Sequence, residues 1–263
     1  MLVSIQYATQ RDREVQRGCL VPTSSGEREM ERRVVVVTGS AGGIGAALVE
    51  RFGAHGCTVA GLDLVDGFDV TDPTACKDAV RSILAEHGRV DVLCNNAGVS
   101  SVGDVVAATP ADWERVFAVN VFGVAHMSRA ALPAMRAAGA GVIVNSCSVA
   151  ASVGLVERAV YSASKGAILA LTKAMAADEV RHGIRVNCVS PGTVASPWVE
   201  RLVATTADPD ASLERLRRRQ PLGRLVTCDE VADAILYLAA ATTFTTGADF
   251  LLDGGITGVR LVD

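Results

Sequence analysis

A tyrosine and a lysine stand four residues apart, Tyr161 and Lys165, in the segment Tyr-Ser-Ala-Ser-Lys-Gly-Ala. The segment opens an amphipathic helical pattern, in which residues four apart share one face with a rise of about 6 Å between them. A free phenol is a poor base at neutral pH because its pKa is about 10. A fixed cation beside it favours the phenolate, so the pair could transfer a proton. Such pairs are common by chance, and the meaning of this one depends on its surroundings.

A serine that could bind a substrate oxygen precedes the tyrosine by thirteen residues. Ser148 follows an apolar run at 142–145 that is typical of a buried strand. Ligands of open α/β sheets bind beyond the carboxyl ends of strands, which is where Ser148 is predicted to lie. Ser146 is a close rival, and spacing alone does not choose between the two.

A glycine cluster follows the first apolar run, in the segment Thr-Gly-Ser-Ala-Gly-Gly-Ile-Gly. Its residues Gly39, Gly43, Ile44 and Gly45 stand between a predicted strand and a predicted helix. Glycines permit a tight turn and let backbone amides approach a pyrophosphate, which the helix N-terminus also attracts. Glycines often mark only a turn, but this position indicates a dinucleotide site.

An acidic residue, Asp63, ends the second predicted strand about 20 residues after the glycine loop. A carboxylate there can accept hydrogen bonds from ribose hydroxyls and would repel a 2′-phosphate, so NAD is predicted rather than NADP. The alternative is a solvent-facing acid at a strand end. Asp69 and Val70, just before the next helix, are candidates to border the adenine.

From residue 33 onward, short β-branched runs alternate with longer helical patterns. This alternation predicts an α/β fold, with a single Rossmann-type doubly wound parallel sheet of about seven strands and helices on both faces. The predicted strands are 34–37, 57–62, 90–94, 142–145, 184–189 and 250–252. The predicted helices are 43–55, 72–87, 110–138 with a bend near Pro133, 161–182 and 227–240.

Composition narrows the function classes. The 263 residues suit a single domain, and the net charge of −4 gives no reason to expect nucleic acid or an anionic membrane as a partner. No run of about 18 apolar residues appears, so no membrane span is predicted. The seven cysteines are scattered, without a Cys-x-x-Cys pair, so we predict buried thiols, no disulfide framework, no metal site and a cytoplasmic location.

The first 31 residues differ from the rest. They mix basic and acidic residues without an apolar stripe, which fits neither a secretory signal nor a transit peptide. We predict a loose N-terminal extension over 1–31 and one Rossmann domain over 32–263, with a substrate lid around 197–220.

Taken together, these motifs resemble the classical short-chain dehydrogenases/reductases over about residues 32–255. Several motifs in the right order are far more specific than any one of them. The matching residues are Thr38-Gly39 to Gly45, Asn95-Asn96-Ala97-Gly98, Asn120, Ser148, Tyr161, Lys165, Pro191-Gly192 and Asp253-Gly254-Gly255.

The resemblance implies a role for each residue. Tyr161 would be the acid/base, Lys165 would favour its phenolate and hold the nicotinamide ribose, Ser148 would orient the substrate, and Asn120 would support a proton relay through Lys165. Without the resemblance, Asn120 would pass for a helix residue with a satisfied amide. Hydride would pass directly between nicotinamide and substrate, with no metal. The resemblance also gives cofactor contacts to Asn96, Ala97, Gly98, Tyr161, Lys165, Pro191, Gly192, Val194 and Ser196.

Segments around Ser148, Pro191 and residues 219–224 resemble a narrower group. It contains 2-keto-3-deoxy-L-fuconate dehydrogenases and the cytosolic type 2 (R)-3-hydroxybutyrate dehydrogenase, which act on a secondary alcohol in a carboxylate. Arg158, Arg201 and Arg219 are therefore candidates to bind a substrate carboxylate, although each could be a surface arginine. Trp198 and the spacing before Arg201 depart from the group.

The expected function is NAD-dependent hydride transfer on a small hydroxy acid or sugar acid. Two alternatives remain: an NAD(P)H-dependent 3-oxoacyl-thioester (acyl carrier protein) reductase, and a non-catalytic dinucleotide sensor. The family resemblance also implies a homotetramer, or a homodimer, packed through the helices at 112–138 and 161–182.

Overall fold

A six-stranded parallel sheet forms the centre of the computed structural model, which describes residues 30–240 and 244–260. The strand order is β2-β1-β3-β4-β5-β8. These strands are β1 (Val34–Thr38), β2 (Thr58–Leu62), β3 (Val92–Asn95), β4 (Gly141–Ser146), β5 (Ile184–Pro191) and β8 (Asp249–Leu252). A separate parallel pair joins β6 (Val194–Ala195) to β7 (Val226–Thr227).

Helices connect the strands, and residues that typically cap helices stand at their N-terminal ends. Asp72 caps the second helix with Pro73 at its first position, and Thr227 forms a capping box with Glu230. The helices are α1 (Gly43–Ala54), α2 (Pro73–His87), α3 (Pro110–Phe117), α4 (Gly123–Ala138), α5 (Ala159–Glu179), α6 (Pro197–Ala204), α7 (Pro209–Arg218) and α8 (Cys228–Ala239).

Two hydrophobic cores lie on opposite faces of the sheet. Alternate residues of β1 enter them: Val35 and Val37 join the core that contains Phe52 of α1, and Val34 and Val36 join the other. Side chains of a strand alternate between faces, so a continuous valine run fills both cores at once. The prediction of a parallel α/β sheet covered on both faces is confirmed.

The sheet has six strands rather than about seven. The segment after β2 forms a 3₁₀ turn at Leu64–Asp66 and then enters the turn before α2. A crossover between parallel strands needs a dozen or more residues, and residues 63–69 are too few to hold one. β2 is therefore the edge strand in the part of the chain that the structure describes.

The predicted helix at 110–138 contains an irregular turn. A π-helical segment, Ala118–Phe122, separates α3 from α4, and Pro133 lies within α4. Single π turns frequently occur at functional sites, and Asn120 is in this one.

Most of the predicted N-terminal extension lies outside the described residues. Met30 is buried in the core that contains Phe52, and its carbonyl accepts a bond from the Cys57 thiol. The predicted lid region forms α6 and α7. None of the helices within 30–240 and 244–260 has the length and apolar character that crossing a membrane requires.

The cysteine prediction holds for four of the six thiols that the structure describes. Cys76, Cys94, Cys147 and Cys188 are buried, whereas Cys57 and Cys228 are half-buried. Cys19 lies outside the described residues.

An ion pair joins α4 to α5. Arg136 donates to Glu179 through two nitrogens, one of them Nε at 2.8 Å, and Glu179 is 2% exposed. These bonds hold the pKa of Glu179 below its usual range. The pair therefore anchors the C-terminal end of the helix that carries Tyr161.

We expect Glu179→Gln to lower the urea midpoint at pH 7. A depressed carboxyl pKa contributes stability that is complete above the unfolded value, about 4.3, and is lost as pH falls through the folded value. The difference from the wild type should therefore shrink as pH is lowered from 7 towards 4. The exposed neighbour variant, Asp178→Asn, is the control, and a difference independent of pH would contradict the assignment.

Candidate active site

The first two turns of α5 place Tyr161 and Lys165 together. The Lys165 Nζ atom lies 5.7 Å from the centroid of the Tyr161 ring. Nζ also donates a 2.7 Å hydrogen bond to the carbonyl oxygen of Ser146, and Lys165 is 5% exposed. The ammonium is thus held in one position beside the phenol. The pair could therefore take part in proton transfer.

The two candidate serines have different surroundings. Ser148 caps a 3₁₀ turn, where its Oγ accepts from the Ala150 amide at 3.2 Å. A hydroxyl that accepts in this way still has a proton to donate to a substrate oxygen. The Ser146 hydroxyl bonds to Oδ1 of Asn96 at 3.3 Å, and its carbonyl holds Lys165. These contacts favour Ser148 as the substrate-facing serine.

Asn120 connects the π turn to the catalytic helix. Its amide bonds both backbone groups of Val99, at 2.8 and 2.9 Å. It also donates to the Ser164 hydroxyl at 3.0 Å, and Ser164 donates to the Tyr161 carbonyl at 2.7 Å. Gly98 lies beside this group, since a Cβ there would be 3.4 Å from Asn120 Oδ1 and 3.7 Å from Lys165 Nζ. Sequence reasoning missed Ser164, a small residue between the two catalytic candidates.

The glycine loop is closely packed. Gly39 and Gly43 have φ values of +66° and +53°, which favour glycine. A Cβ on Gly45 would overlap the Gly39 carbonyl oxygen and lie 2.9 Å from Asn96 Nδ2. A Cβ on Gly39 would lie 2.9 Å from the Ala97 Cα. Ile44 follows in the first turn of α1, whose amides are those that can bind phosphate.

Thr38 and Asn96 hold the glycine loop against the loop after β3. The Thr38 hydroxyl accepts from the amides of Asn96 and Ala97, at 3.0 and 3.1 Å. The Asn96 side chain donates to the carbonyls of Thr38 and Gly39, both at 3.1 Å. Thr38 is 2% exposed, and the sequence pointed to it only as the first residue of the matching glycine motif, without a role.

Asp63, directly after β2, is hydrogen-bonded to the glycine loop. Its Oδ2 accepts from the Ala41 amide at 2.8 Å, and Oδ1 accepts from the Val65 amide at 3.1 Å. The carboxylate therefore lies where the loop passes the end of β2. Asp69 accepts from the Thr71 amide at 2.8 Å, and Val70 is buried in the core.

The loop after β5 forms the other side of the site. Pro191 is buried, and a Cβ on Gly192 would overlap Oε1 of Gln220. Val194 pairs with Val226 in the small sheet. Ser196 caps α6 through the Val199 amide, and its Cβ lies 3.8 Å from where a Gly43 Cβ would be. Sequence reasoning missed Gln220, which is 1% exposed and donates to the Arg224 carbonyl at 2.7 Å.

Sequence comparison identifies the family. Residues 65–257 match the family model described as enoyl-(acyl carrier protein) reductase. The chain is also 38% identical over 240 residues to dehydrogenase/reductase SDR family member 6 of Danio rerio, which covers 86% of this chain and 98% of that protein. The chain belongs to the short-chain dehydrogenase/reductase (SDR) family. This SDR protein is therefore an oxidoreductase that acts on CH–OH groups.

Solved structures share the fold of this SDR protein. The ligand-free aldohexose dehydrogenase of Thermoplasma acidophilum has a TM-score of 0.84 and 32% identity, covering 89% of this chain and 97% of that one. The structure of ElxO with NADP bound has a TM-score of 0.80 and 27% identity, covering 86% and 98%. The expected family and fold are thus confirmed, and family members bind a nicotinamide cofactor.

Two of the three candidate arginines, Arg158 and Arg219, interact electrostatically in this SDR protein. Arg158 is half-buried just before α5, and burial, together with the positive charge of Arg219, lowers its pKa. Within the described residues, neither arginine forms an ion pair with a carboxylate. Arg201 is exposed on α6, as is the neighbouring Trp198.

We expect Gly45→Ala to weaken NADH binding about tenfold or more, because the added Cβ forces the loop away from its phosphate-binding position. Fluorescence titration with NADH measures the loss. Gly53→Ala is the control, since its Cβ would meet nothing within 4 Å in the same helix. Equal affinities in the two variants would show that this loop does not hold the cofactor.

Proposed function

We propose that this SDR enzyme is an NAD-dependent dehydrogenase of a secondary alcohol that carries a carboxylate, a small hydroxy acid or a sugar acid. One observation carries the proposal. Arg158 is half-buried three residues before Tyr161 and within electrostatic range of Arg219, and neither arginine forms an ion pair with a carboxylate among the described residues. Two guanidinium groups at that place can hold a substrate carboxylate while the alcohol faces the phenol.

The proposed chemistry uses three side chains. Tyr161, as phenolate, accepts the hydroxyl proton of the alcohol, and Lys165 stabilises that phenolate. Ser148 donates a hydrogen bond to the substrate oxygen and orients it. A nicotinamide held by the glycine loop and Lys165 would supply the acceptor for the hydride of the carbinol carbon. Asn120 and Ser164 hold the start of α5 in position.

Several groups fit the nicotinamide dinucleotide. The close-packed glycines form the turn at the start of α1, whose N-terminal end could face a pyrophosphate, and Lys165 lies beside Gly98, where a ribose could reach it. Asn96, Ala97, Pro191, Gly192, Val194 and Ser196 are the further proposed contacts. Asp63 supports NAD over NADP, because its carboxylate would repel a 2′-phosphate. Parallel assays with NAD and NADP test this choice.

The assembly and the lid are also proposals. We infer that α6 and α7 cover the substrate, and that copies associate as a tetramer or dimer through α3, α4 and α5. Ala163 on α5 is exposed, with half-buried Gly166 and Ala167 nearby, so another helix could approach closely. The predicted cytoplasmic location rests on the thiols.

We expect Tyr161→Phe to lower kcat by about 10²–10⁴-fold, the usual contribution of a general base, with NADH binding retained. Stopped-flow turnover and NADH titration separate the two effects. Tyr237→Phe, at an exposed tyrosine on α8, is the matched control. Retained turnover in Tyr161→Phe would remove Tyr161 from the mechanism.

We expect Arg158→Ala to raise KM for hydroxy acids by about 10- to 100-fold, the loss of hydrogen bonds to a charged group. Neutral secondary alcohols should be unaffected. Arg217→Ala, at an exposed arginine on α7, is the control. If neutral alcohols are oxidised as well as acids and Arg158→Ala changes neither, the carboxylate site is wrong. Preferential turnover of 3-oxoacyl thioesters with NADPH would instead favour the reductase alternative.

A further inference from the structure

A short segment is attached to the backbone on both sides of Arg158. Residues 102–106, here called the valine strap, contain Gly103, whose amide donates to the Glu157 carbonyl at 2.9 Å. The Gly103 carbonyl accepts from the Ala159 amide at 3.2 Å. The strap therefore runs directly beside the residue that precedes the catalytic helix.

The backbone at this junction is strained. Glu157 has a φ of +56°, in the left-handed region that non-glycine residues rarely adopt. Gly103 opposite has a φ of +141°, which a side chain would not tolerate. Such conformations persist only where surrounding contacts enforce them, and they concentrate at ligand sites. The two hydrogen bonds of Gly103 are those contacts.

The strap is also fixed internally. Asp104 Oδ1 accepts from the amides of Val106 and Ala107, at 3.0 and 2.8 Å, and the Asp104 carbonyl accepts from Ala108 at 3.1 Å. These hydrogen bonds fix the turn that carries the exposed valines of the strap.

Four valines on the two attached segments face solvent. Val102, Val105 and Val106 of the strap are 58%, 70% and 92% exposed, and Val156, two residues before Arg158, is 89% exposed. Single exposed apolar residues are ordinary, but a group beside a binding site indicates a ligand or partner with an apolar surface. We call these four residues the valine surface.

We propose that the substrate acid carries an apolar chain, which lies on the valine surface while its carboxylate binds Arg158. This proposal rests on the proposed function and chooses between its two substrate classes, the small hydroxy acids and the sugar acids. Valines gain free energy by covering methylene groups, whereas a sugar acid would lose water from its hydroxyls there without receiving hydrogen bonds. The combination of arginine and valines therefore fits an alkyl hydroxy acid rather than a polyhydroxylated one.

The test measures kcat/KM for straight-chain 3-hydroxy acids of four, six and eight carbons, and for aldonic acids, with NAD. We expect kcat/KM to rise with chain length, by up to about fourfold per buried methylene. The double variant Val106→Ser/Val156→Ser should flatten this rise while leaving the shortest acid unchanged. Val65→Ser is the control, because Val65 is 76% exposed and lies after β2.

The outcomes separate the two claims. Acids that require Arg158 but show no chain-length dependence, or a preference for aldonic acids, would overturn the apolar-chain proposal and leave the proposed function standing. Neutral alcohols turned over independently of Arg158 would overturn both. Sedimentation velocity measures the oligomeric state of the double variant. If that state changes while the dependence on chain length does not, the valine surface is an interface between copies of the chain. This result would also overturn the proposal.

Discussion

The hydrogen bond from Lys165 to the Ser146 carbonyl is the contact on which the geometry of the site depends. A buried ammonium is costly unless it is hydrogen-bonded, so this bond fixes where the lysine can lie. It joins the helix that carries Tyr161 to the end of a central strand. The same strand end leads within two residues to Ser148. One contact thus relates the three side chains of the proposed mechanism.

A polar chain through the sheet supports that contact. Asn145, the neighbour of Ser146, donates to the Thr172 hydroxyl at 2.9 Å. Asn95 on the next strand donates to Asn145 at 2.9 Å and to Ser128 of α4 at 3.2 Å. Thr172 lies two turns after Lys165 on the same helical face, so α5 is bonded to β4 at two places. Buried polar groups that bond to one another fix the register of packed elements.

The cofactor side and the substrate side differ in how they are built. Around the glycine loop, side chains form hydrogen bonds with backbone groups, and the close packing leaves little space for a larger side chain. The proposed substrate side comprises the strap, the segment at 156–158 and the helices α6 and α7, which present arginines and exposed valines. A rigid nucleotide site beside surface segments is how one fold serves many substrates.

The sequence by itself determined the alternation of strands and helices, the glycine loop and the Tyr161–Lys165 pair. These features follow from the periodicity of apolar residues and from short spacings along the chain. Both depend only on the local geometry of a helix or strand, so the sequence predicts them without knowledge of distant contacts. The six-stranded sheet could also have been anticipated from the length of residues 63–69, although the alternation of strand and helix patterns predicted about seven strands. Only the tertiary structure showed that Gln220 packs against Gly192, that Thr38 holds the Asn96 loop, and that Arg158 lies beside Gly103. These contacts join segments tens of residues apart, and the packing of the whole sheet decides which distant segments meet.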